Sequence, residues 1–334
     1  MTVSRVRRGG LWVRVSSIGR TGDRPFVLVP GIGVSSNYFE RLAPYLNEYG
    51  PVHALDLPGF GGVPHGGETL TIPRFADLVG AVLDDLGLED PVLVGHSMGS
   101  QVVTDLAARR PGLSTLVLIG PVVNAAERTV GRQAWRFLGC ALREPGRVKA
   151  LALSAYLVCG PRWFWRVLPE MMSYRLEDRL PEVRASTLVI RGECDGNSPR
   201  DWVDRVADTL PRARAWEIPG AAHSVMYAHA TEVARLCVAH ARVPAPERGD
   251  VDVRRLLRPE DADGEGRPDG VPPTDLAHRW TAVRGRLTEL VGVIRGDDRL
   301  IERGRTLHAE AVDSTHAHLR VDLHPQDDPD RPAE

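Results

Sequence analysis

The chain has 334 residues, 43% of them apolar and 26% charged, with a formal net charge of −2. That length can bury a large core in one or two domains. The near-neutral balance excludes the overall basic field of a nucleic-acid binder and the acidic excess of a disordered chain.

The N-terminal stretch "MTVSRVRRGGLWVRVSSIG" has basic residues but no apolar core after them, so no secretory signal is expected. "LWVRVSS" then reads as a strand and "PFVLVPG" as a buried one. "SSNYFERLAPYLNEYG" has helical period, "PVHALDLPG" is a strand and "IPRFADLVGAVLDDLGL" an amphipathic helix. "PVLVGHS", "STLVLIGP", "ASTLVIRGECD" and "ARAWEIPG" continue the strands. "GSQVVTDLAARRPG", "PRDWVDRVADTLP" and "ATEVARLCVAHAR" are the helices among them. Strands that are apolar throughout are buried on both faces, and the strand–helix alternation predicts an α/β fold: a mostly parallel central sheet with helices on both faces.

Residues 122–180 break this rhythm with helical periodicity and many aromatics (Trp135, Phe137, Tyr156, Trp163, Phe164, Trp165, Tyr174) beside Met171 and Met172. They predict a helical insertion over the sheet. Its most apolar run, "ALALSAYLVCG", is too short to span a bilayer, and the protein is expected to be soluble and cytoplasmic. Lys149 is the only lysine, so the positive charge is almost all arginine, a compositional bias. The cysteines Cys140, Cys159, Cys194 and Cys237 form no C-x-x-C pair and read as reduced thiols.

The expected organisation is therefore a core of residues 1–121 and 181–243, the helical insertion at 122–180, and a Pro-, Gly- and charge-rich linker at 244–274. A helical extension at 275–320 and a disordered tail at 321–334 follow. Leu276, Trp280, Val283, Leu287, Leu290 and Ile294 alternate spacings of four and three, one apolar stripe along a helix. That stripe fits an amphipathic helix packed on the main domain, or a coiled coil that makes a homo-oligomer or holds a partner, with a mostly disordered tail as the third reading.

Gly95-His96-Ser97-Met98-Gly99 matches G-x-S-x-G between a buried strand and a helix. A serine hydroxyl is a weak nucleophile. It needs a base to take its proton, an acid to orient that base, and N–H donors for the oxyanion formed on attack at a carbonyl. The strand–turn–helix setting is that of a nucleophile elbow, with Gly95 and Gly99 clearing space where strand and helix meet. Asp195, past a buried strand in "TLVIRGECDGNSP", is the acid candidate, with Glu193 its near rival. His223, in the loop of "WEIPGAAHSVMY", is the base candidate. Both follow the C-terminal ends of strands, where open parallel sheets bind ligands. His96 reads as structural or pocket-lining, because an elbow turns the neighbours of its serine away.

With "LVPGIG", "ALDLPGFGG", "VGHSMGS", "IRGECDGNSP" and "IPGAAHSV", residues 10–242 resemble the α/β-hydrolase superfamily, in its serine-nucleophile, capped, esterase-like branch. The resemblance implies Ser97 as nucleophile, Asp195 as acid and His223 as base. It also implies the backbone N–H groups of Ile32 and Met98 as the oxyanion hole, and the 122–180 insertion as a cap. Pro30-Gly31 stands where relatives commonly have His-Gly, so that histidine's structural bonds are absent here. Asn124 follows a strand where some relatives keep an acid, but a neutral amide cannot replace Asp195.

The serine argues against the related dehalogenases and epoxide hydrolases, which need a carboxylate at that place. His96 and Ser224 depart from the Asn and Trp often found in related C–C bond hydrolases. The expected function is hydrolysis of a small or medium carboxylic ester through an acyl-enzyme, on an apolar substrate. Thioesterase, lactonase and perhydrolase chemistry remain neighbours, as do a membrane-surface lipase and a non-catalytic small-molecule-binding or scaffold protein. No cofactor, metal or nucleic acid is expected, and no stable membrane insertion.

Overall fold

A computed structural model describes residues 1–19, 21–129, 131, 132, 136, 139, 143–245, 247 and 276–316, with 276–283, 294 and 309–316 described by backbone alone. Trp135, Phe137, Cys140, the predicted linker apart from 244, 245 and 247, and the predicted tail lie outside these residues.

Among the described residues, eight strands form one sheet in the order β1-β2-β4-β3-β5-β6-β7-β8. They are β1 (Thr2–Arg8), β2 (Leu11–Ile18), β3 (Phe26–Val29), β4 (Val52–Asp56), β5 (Val92–His96), β6 (Thr115–Ile119), β7 (Ser186–Gly192) and β8 (Ala213–Ile218). β1 and β2 pair antiparallel with each other, β2 joins β4 antiparallel, and all other pairs are parallel. Every residue of β3, β5, β6 and β7 is buried. β1 escapes the sequence reading because its "TVSRVRR" buries only Val6, so it shows no apolar run.

Alternation along the strands splits the interior into two layers. Val27, Val29, Leu93, Leu116, Leu118 and Val189 face one side. There they meet Phe75, Val79 and Val82 of α2 (Ile72–Asp85), Val102, Val103 and Leu106 of α3 (Met98–Arg109), and Trp202 of the later Arg200–Thr209 helix. Phe26, Leu28, Val92, Val94, Val117 and Ile190 face the other side. They pack on α1 (Leu42–Asn47) and on the Ala230–Arg242 helix. Each such side chain fully buried is worth about 1.5–3 kcal/mol, so the sheet centre is the main stabilising feature. The predicted helix over 35–50 is shorter than its period suggests, a 3₁₀ turn at Ser36–Phe39 and then α1. α2 starts where Thr71 Oγ1 accepts from Arg74 N–H at 3.3 Å. It ends in a Schellman turn at Gly87, with Leu88 N–H donating to Leu83 C=O at 2.8 Å.

Between β6 and β7 run a 3₁₀ turn (Ala125–Glu127), α4 (Gly146–Cys159), α5 (Pro161–Ser173) and α6 (Leu176–Arg179). This segment is tied to α3, where Gln101 Nε2 donates to Met171 C=O and Tyr174 Oη to Asp105 Oδ1, each at 3.0 Å. Trp163 is buried against Gly59 and stacks on His65 at 3.9 Å. After β7 come α7 (Arg200–Thr209), α8 (Val225–Ala228) and α9 (Ala230–Arg242). Among the described residues no helix is long and apolar enough to cross a membrane.

The helical extension is a hairpin of α10 (Leu276–Arg295) and α11 (Asp298–His316), reversed at Gly296 with φ 66°. Of the apolar stripe, the side chains of Leu276, Trp280, Val283 and Ile294 lie outside the described residues. Leu287 and Leu290 are 59% and 41% exposed, whereas Gly285, Glu289 and Gly292 are buried. A Cβ on Gly285 would stand 2.7 Å from Gly304 C=O, so the two helices need glycine to approach this closely. The contact with the rest of the chain combines paired charges with the buried Ile301 and with Val293, which stands against Gly62. Arg305 bridges Glu289 Oε1 at 2.7 Å and Asp56 Oδ2 at 2.9 Å, and also reaches Ser16. Arg5 donates to Asp298 Oδ1 at 2.8 Å. Small residues, paired charges and the side chains of Ile301 and Val293 hold the hairpin down, with Leu287 and Leu290 turned outward.

Candidate active site

Ser97 sits between the last residue of β5 and the first of α3, with φ 56° and ψ −121°. Among the described residues only Ser97 and Val123 have a positive φ without being glycine. Such a backbone costs on the order of 1–3 kcal/mol and persists where its surroundings hold it. Ser97 N–H donates to Ile119 C=O, Ser100 N–H to Ser97 C=O and Ser100 Oγ to Gly95 C=O, each at 2.9 Å. A Cβ on Gly95 would lie 2.6 Å from the Gly99 carbonyl carbon, and one on Gly99 2.8 Å from Pro30 C=O. The two glycines of the motif are thus required where α3 crosses the strands.

Asp195 and His223 come together from the loops after β7 and β8. His223 Nδ1–H donates to Asp195 Oδ2 at 2.8 Å. Asp195 Oδ1 accepts from Asn197 N–H at 2.9 Å and Ser198 N–H at 3.2 Å. The carboxylate is fully buried. Burial alone would raise its pKa, but the His223 charge and these hydrogen bonds outweigh it and hold the group below the usual range. Burial would likewise lower His223; Asp195, and after it Glu144, raise it above the ordinary histidine value. With its proton on Nδ1, the neutral imidazole leaves Nε2 free to accept. Glu193, the rival acid, is exposed and accepts from Gly220 N–H at 2.8 Å. Asn124 is buried as a cap, accepting from Ala126 N–H at 3.0 Å.

Ser97 and His223 line one cavity of about 340 Å³ with Gly31 and Ile32. Its remaining wall comes mainly from the β6–β7 segment, including Val148, Phe164, Leu168, Met171 and Met172. Met98 opens α3, so its N–H has no intrahelical acceptor, and Ile32 lies on the cavity wall. His96 also lines the cavity. Its Nε2–H donates to His223 C=O at 3.3 Å, and its ring lies 4.8 Å from that of His223. Burial, then the neighbouring His223 charge, pushes its pKa well below the usual value, so it stays neutral. Glu144 and Tyr38 line the cavity too, and no local pattern in the sequence marks either. Among the described residues no group of three His, Cys, Asp or Glu side chains could hold a metal.

Gly31 faces the serine, and a Cβ there would stand 2.9 Å from Ser97 Cβ and 3.4 Å from its Oγ. Gly31→Ala is expected to lower kcat by at least about 10²-fold, the scale set by misplacing a reacting group by an ångström. The melting temperature should fall little by comparison. An Ala variant with unchanged kcat would show that this loop does not border the reacting centre.

Residues 26–236 match the alpha/beta hydrolase family. The chain is 29% identical over 210 residues to the dihydrolipoyllysine-residue acetyltransferase component of the acetoin cleaving system of Pseudomonas putida. That match covers 62% of this chain and 55% of the relative, so the chain spans only about half of that protein's length. It is also 29% identical over 204 residues to the lipase LipV of Mycobacterium tuberculosis, covering 54% of this chain and 77% of the lipase. Among solved structures, Est816, an N-acyl homoserine lactone degrading enzyme, superposes with a TM-score of 0.64 at 20% identity. The superposition covers 71% of this chain and 99% of that one, a likeness of fold.

Proposed function

The chain belongs to the alpha/beta hydrolase family, and from that premise we propose that it is a serine hydrolase acting on a small or medium carboxylic ester. Ser97 is the nucleophile, His223 the base and Asp195 the acid. The observation that carries this reading is the 2.8 Å bond from His223 Nδ1 to Asp195, made by a histidine that shares its cavity with the strained Ser97.

Ser97 Oγ attacks the ester carbonyl carbon while His223 Nε2 takes its proton. The carbonyl electrons move to the oxygen, which accepts from the N–H groups of Met98 and Ile32. The buried Asp195 carboxylate stabilises the imidazolium formed. His223 then gives its proton to the departing alcohol as the C–O bond breaks, leaving an acyl-Ser97. Water, deprotonated by His223, attacks the acyl carbon; His223 returns that proton to Ser97 Oγ as the acyl C–O bond breaks and the acid leaves. The β6–β7 helices act as the cap over this site. Their apolar wall favours an apolar acyl or alcohol group, and the cavity volume is at the small end for ligand pockets.

A p-nitrophenyl ester series from C2 to C12 tests the reading. The expected result is a burst of p-nitrophenolate equal to the enzyme present, with an optimum among the shorter acyl chains. No turnover on any ester, together with no labelling by a fluorophosphonate, would overturn it.

The pH profile has a defined sign. His223 works as a base only when neutral, and Asp195 raises its pKa above 6.5. Activity should therefore climb as pH rises through a value above 6.5. The same shift acts oppositely on stability, being fully present below the unfolded pKa and lost as pH rises through the folded one. Asp195→Asn is expected to lower kcat about 10⁴-fold and to move the acid limb to lower pH. A limb that stays in place would assign it to another group.

A further inference from the structure

Among the described residues, Glu144 is the one acidic side chain lining the cavity that holds Ser97 and His223. It stands just before α4 and is only 9% exposed. Its Oε1 accepts from Ser224 N–H at 2.8 Å, the residue after the base. Among the described residues its Oε2 has no hydrogen-bond partner, and it is buried. Buried acceptors are nearly always satisfied, so an orphan oxygen on a ligand cavity is a place kept for a donor that the ligand brings.

We propose that Glu144 is a substrate-recognition site, selecting acyl compounds that carry a neutral hydrogen-bond donor, a hydroxyl or an amide N–H, within a few bonds of the reacting carbonyl. This rests on the reading of the cavity as the substrate site. The closeness to the carbonyl follows from Ser224, which joins Glu144 to the base by one hydrogen bond and one peptide unit. The rest of the wall is mostly apolar, and its other buried unpartnered acceptor among the described residues is His96 Nδ1.

The neutrality of the donor follows from the surroundings. Burial raises the Glu144 pKa despite its bonds to Ser224 and the His223 charge. A carboxyl oxygen accepts from a hydroxyl in either protonation state. An ammonium group would have to be stripped of water in an apolar cavity, beside an imidazolium that forms during the reaction. A carboxylate on the substrate brings no donor to Oε2 and would meet the Glu144 carboxyl as a like charge.

The test reads binding by calorimetry on Ser97→Ala protein, so that the esters persist. The probes are methyl butyrate, methyl 3-hydroxybutyrate and 2-hydroxyethyl butyrate. At least one hydroxylated ester is expected to bind about tenfold or more tightly than methyl butyrate. Adding Glu144→Gln keeps an acceptor for Ser224 N–H but puts an amide donor in the place of Oε2. The preference should then fall to about one or invert. Equal binding of all three esters in the Glu144 protein overturns the proposal, even if the Gln variant does not fold. A preference that survives Glu144→Gln also overturns it. Turnover of methyl butyrate by the unmodified protein separately decides the hydrolase reading, so the two failures are distinct.

Discussion

Ser97→Ala is expected to remove ester hydrolysis, lowering kcat by about 10⁶-fold, because the other two members of the constellation have no nucleophile to serve. The burst phase and fluorophosphonate labelling should vanish together. The fold should be unaffected, since Ala suffers the same strain at φ 56° as Ser. Ser97→Gly separates chemistry from strain. It should be equally inactive but more stable, by about 0.5–1 kcal/mol after allowing for the extra freedom of glycine in the unfolded chain. Kinetics and a thermal melt on the two variants check both statements. Activity within tenfold of wild type in Ser97→Ala would place the nucleophile elsewhere, and a destabilised Ser97→Gly would mean the elbow stores no strain.

Arg305→Ala carries the largest expected effect on stability. Arg305 is 6% exposed and neutralises Glu289 and Asp56, which are 4% and 0% exposed. Removing it leaves two carboxylates in the interior, short of their strongest partner, and should cost about 3–5 kcal/mol. Leu287→Ala and Leu290→Ala remove apolar groups from an exposed face, and should stay within about 0.5 kcal/mol. Chemical denaturation of the three variants, with hydrogen exchange over 276–316, distinguishes the two faces of α10. A small loss for Arg305→Ala beside a loss above about 2 kcal/mol for the leucines would mean that the apolar stripe is the docked face.

The acid response of this cluster has the matching sign. Burial would raise Glu289, but Arg305 and then Arg286 hold it down to about 2. A carboxyl depressed in the folded state contributes stability that is present above its unfolded value of about 4.3 and is lost as pH falls toward 2. The hairpin should therefore loosen across that window. The effect reaches the candidate site through Asp56, whose Oδ1 accepts from Ser36 N–H at 2.7 Å. Ser36 follows the Gly31–Val34 stretch on the cavity wall, so Arg305→Ala should lower kcat as well as stability.

The central sheet is legible in the sequence because its strands are apolar at every position, and burial on both faces admits few other arrangements. Ser97, Asp195 and His223 are legible as candidates for a related reason. Each follows a strong strand signal, and a parallel sheet gathers the ends of its strands at one edge. The Gly95 and Gly99 spacing around Ser97 is local too, since it answers to a turn of five residues. What these residues have in common is that short-range pattern and position along the chain settle their place.

Other features depend on contacts between segments far apart in sequence. β1 forms although its residues carry almost no apolar signal, because β2 offers it a pairing edge. The 275–295 stripe suggests a docked apolar face, yet Asp56 and Ser16, more than two hundred residues away, supply the partners that turn Glu289 inward with Arg305. Glu144 gains its meaning only from Ser224, 80 residues on, and from the cavity between them. By itself the sequence determined the α/β sheet and the order of the three candidate residues, since both follow from local periodicity and chain order. Tertiary structure alone decided which helix face is docked and which carboxyl stands in the cavity, because buried charges and orphan acceptors are properties of pairs, not of single residues.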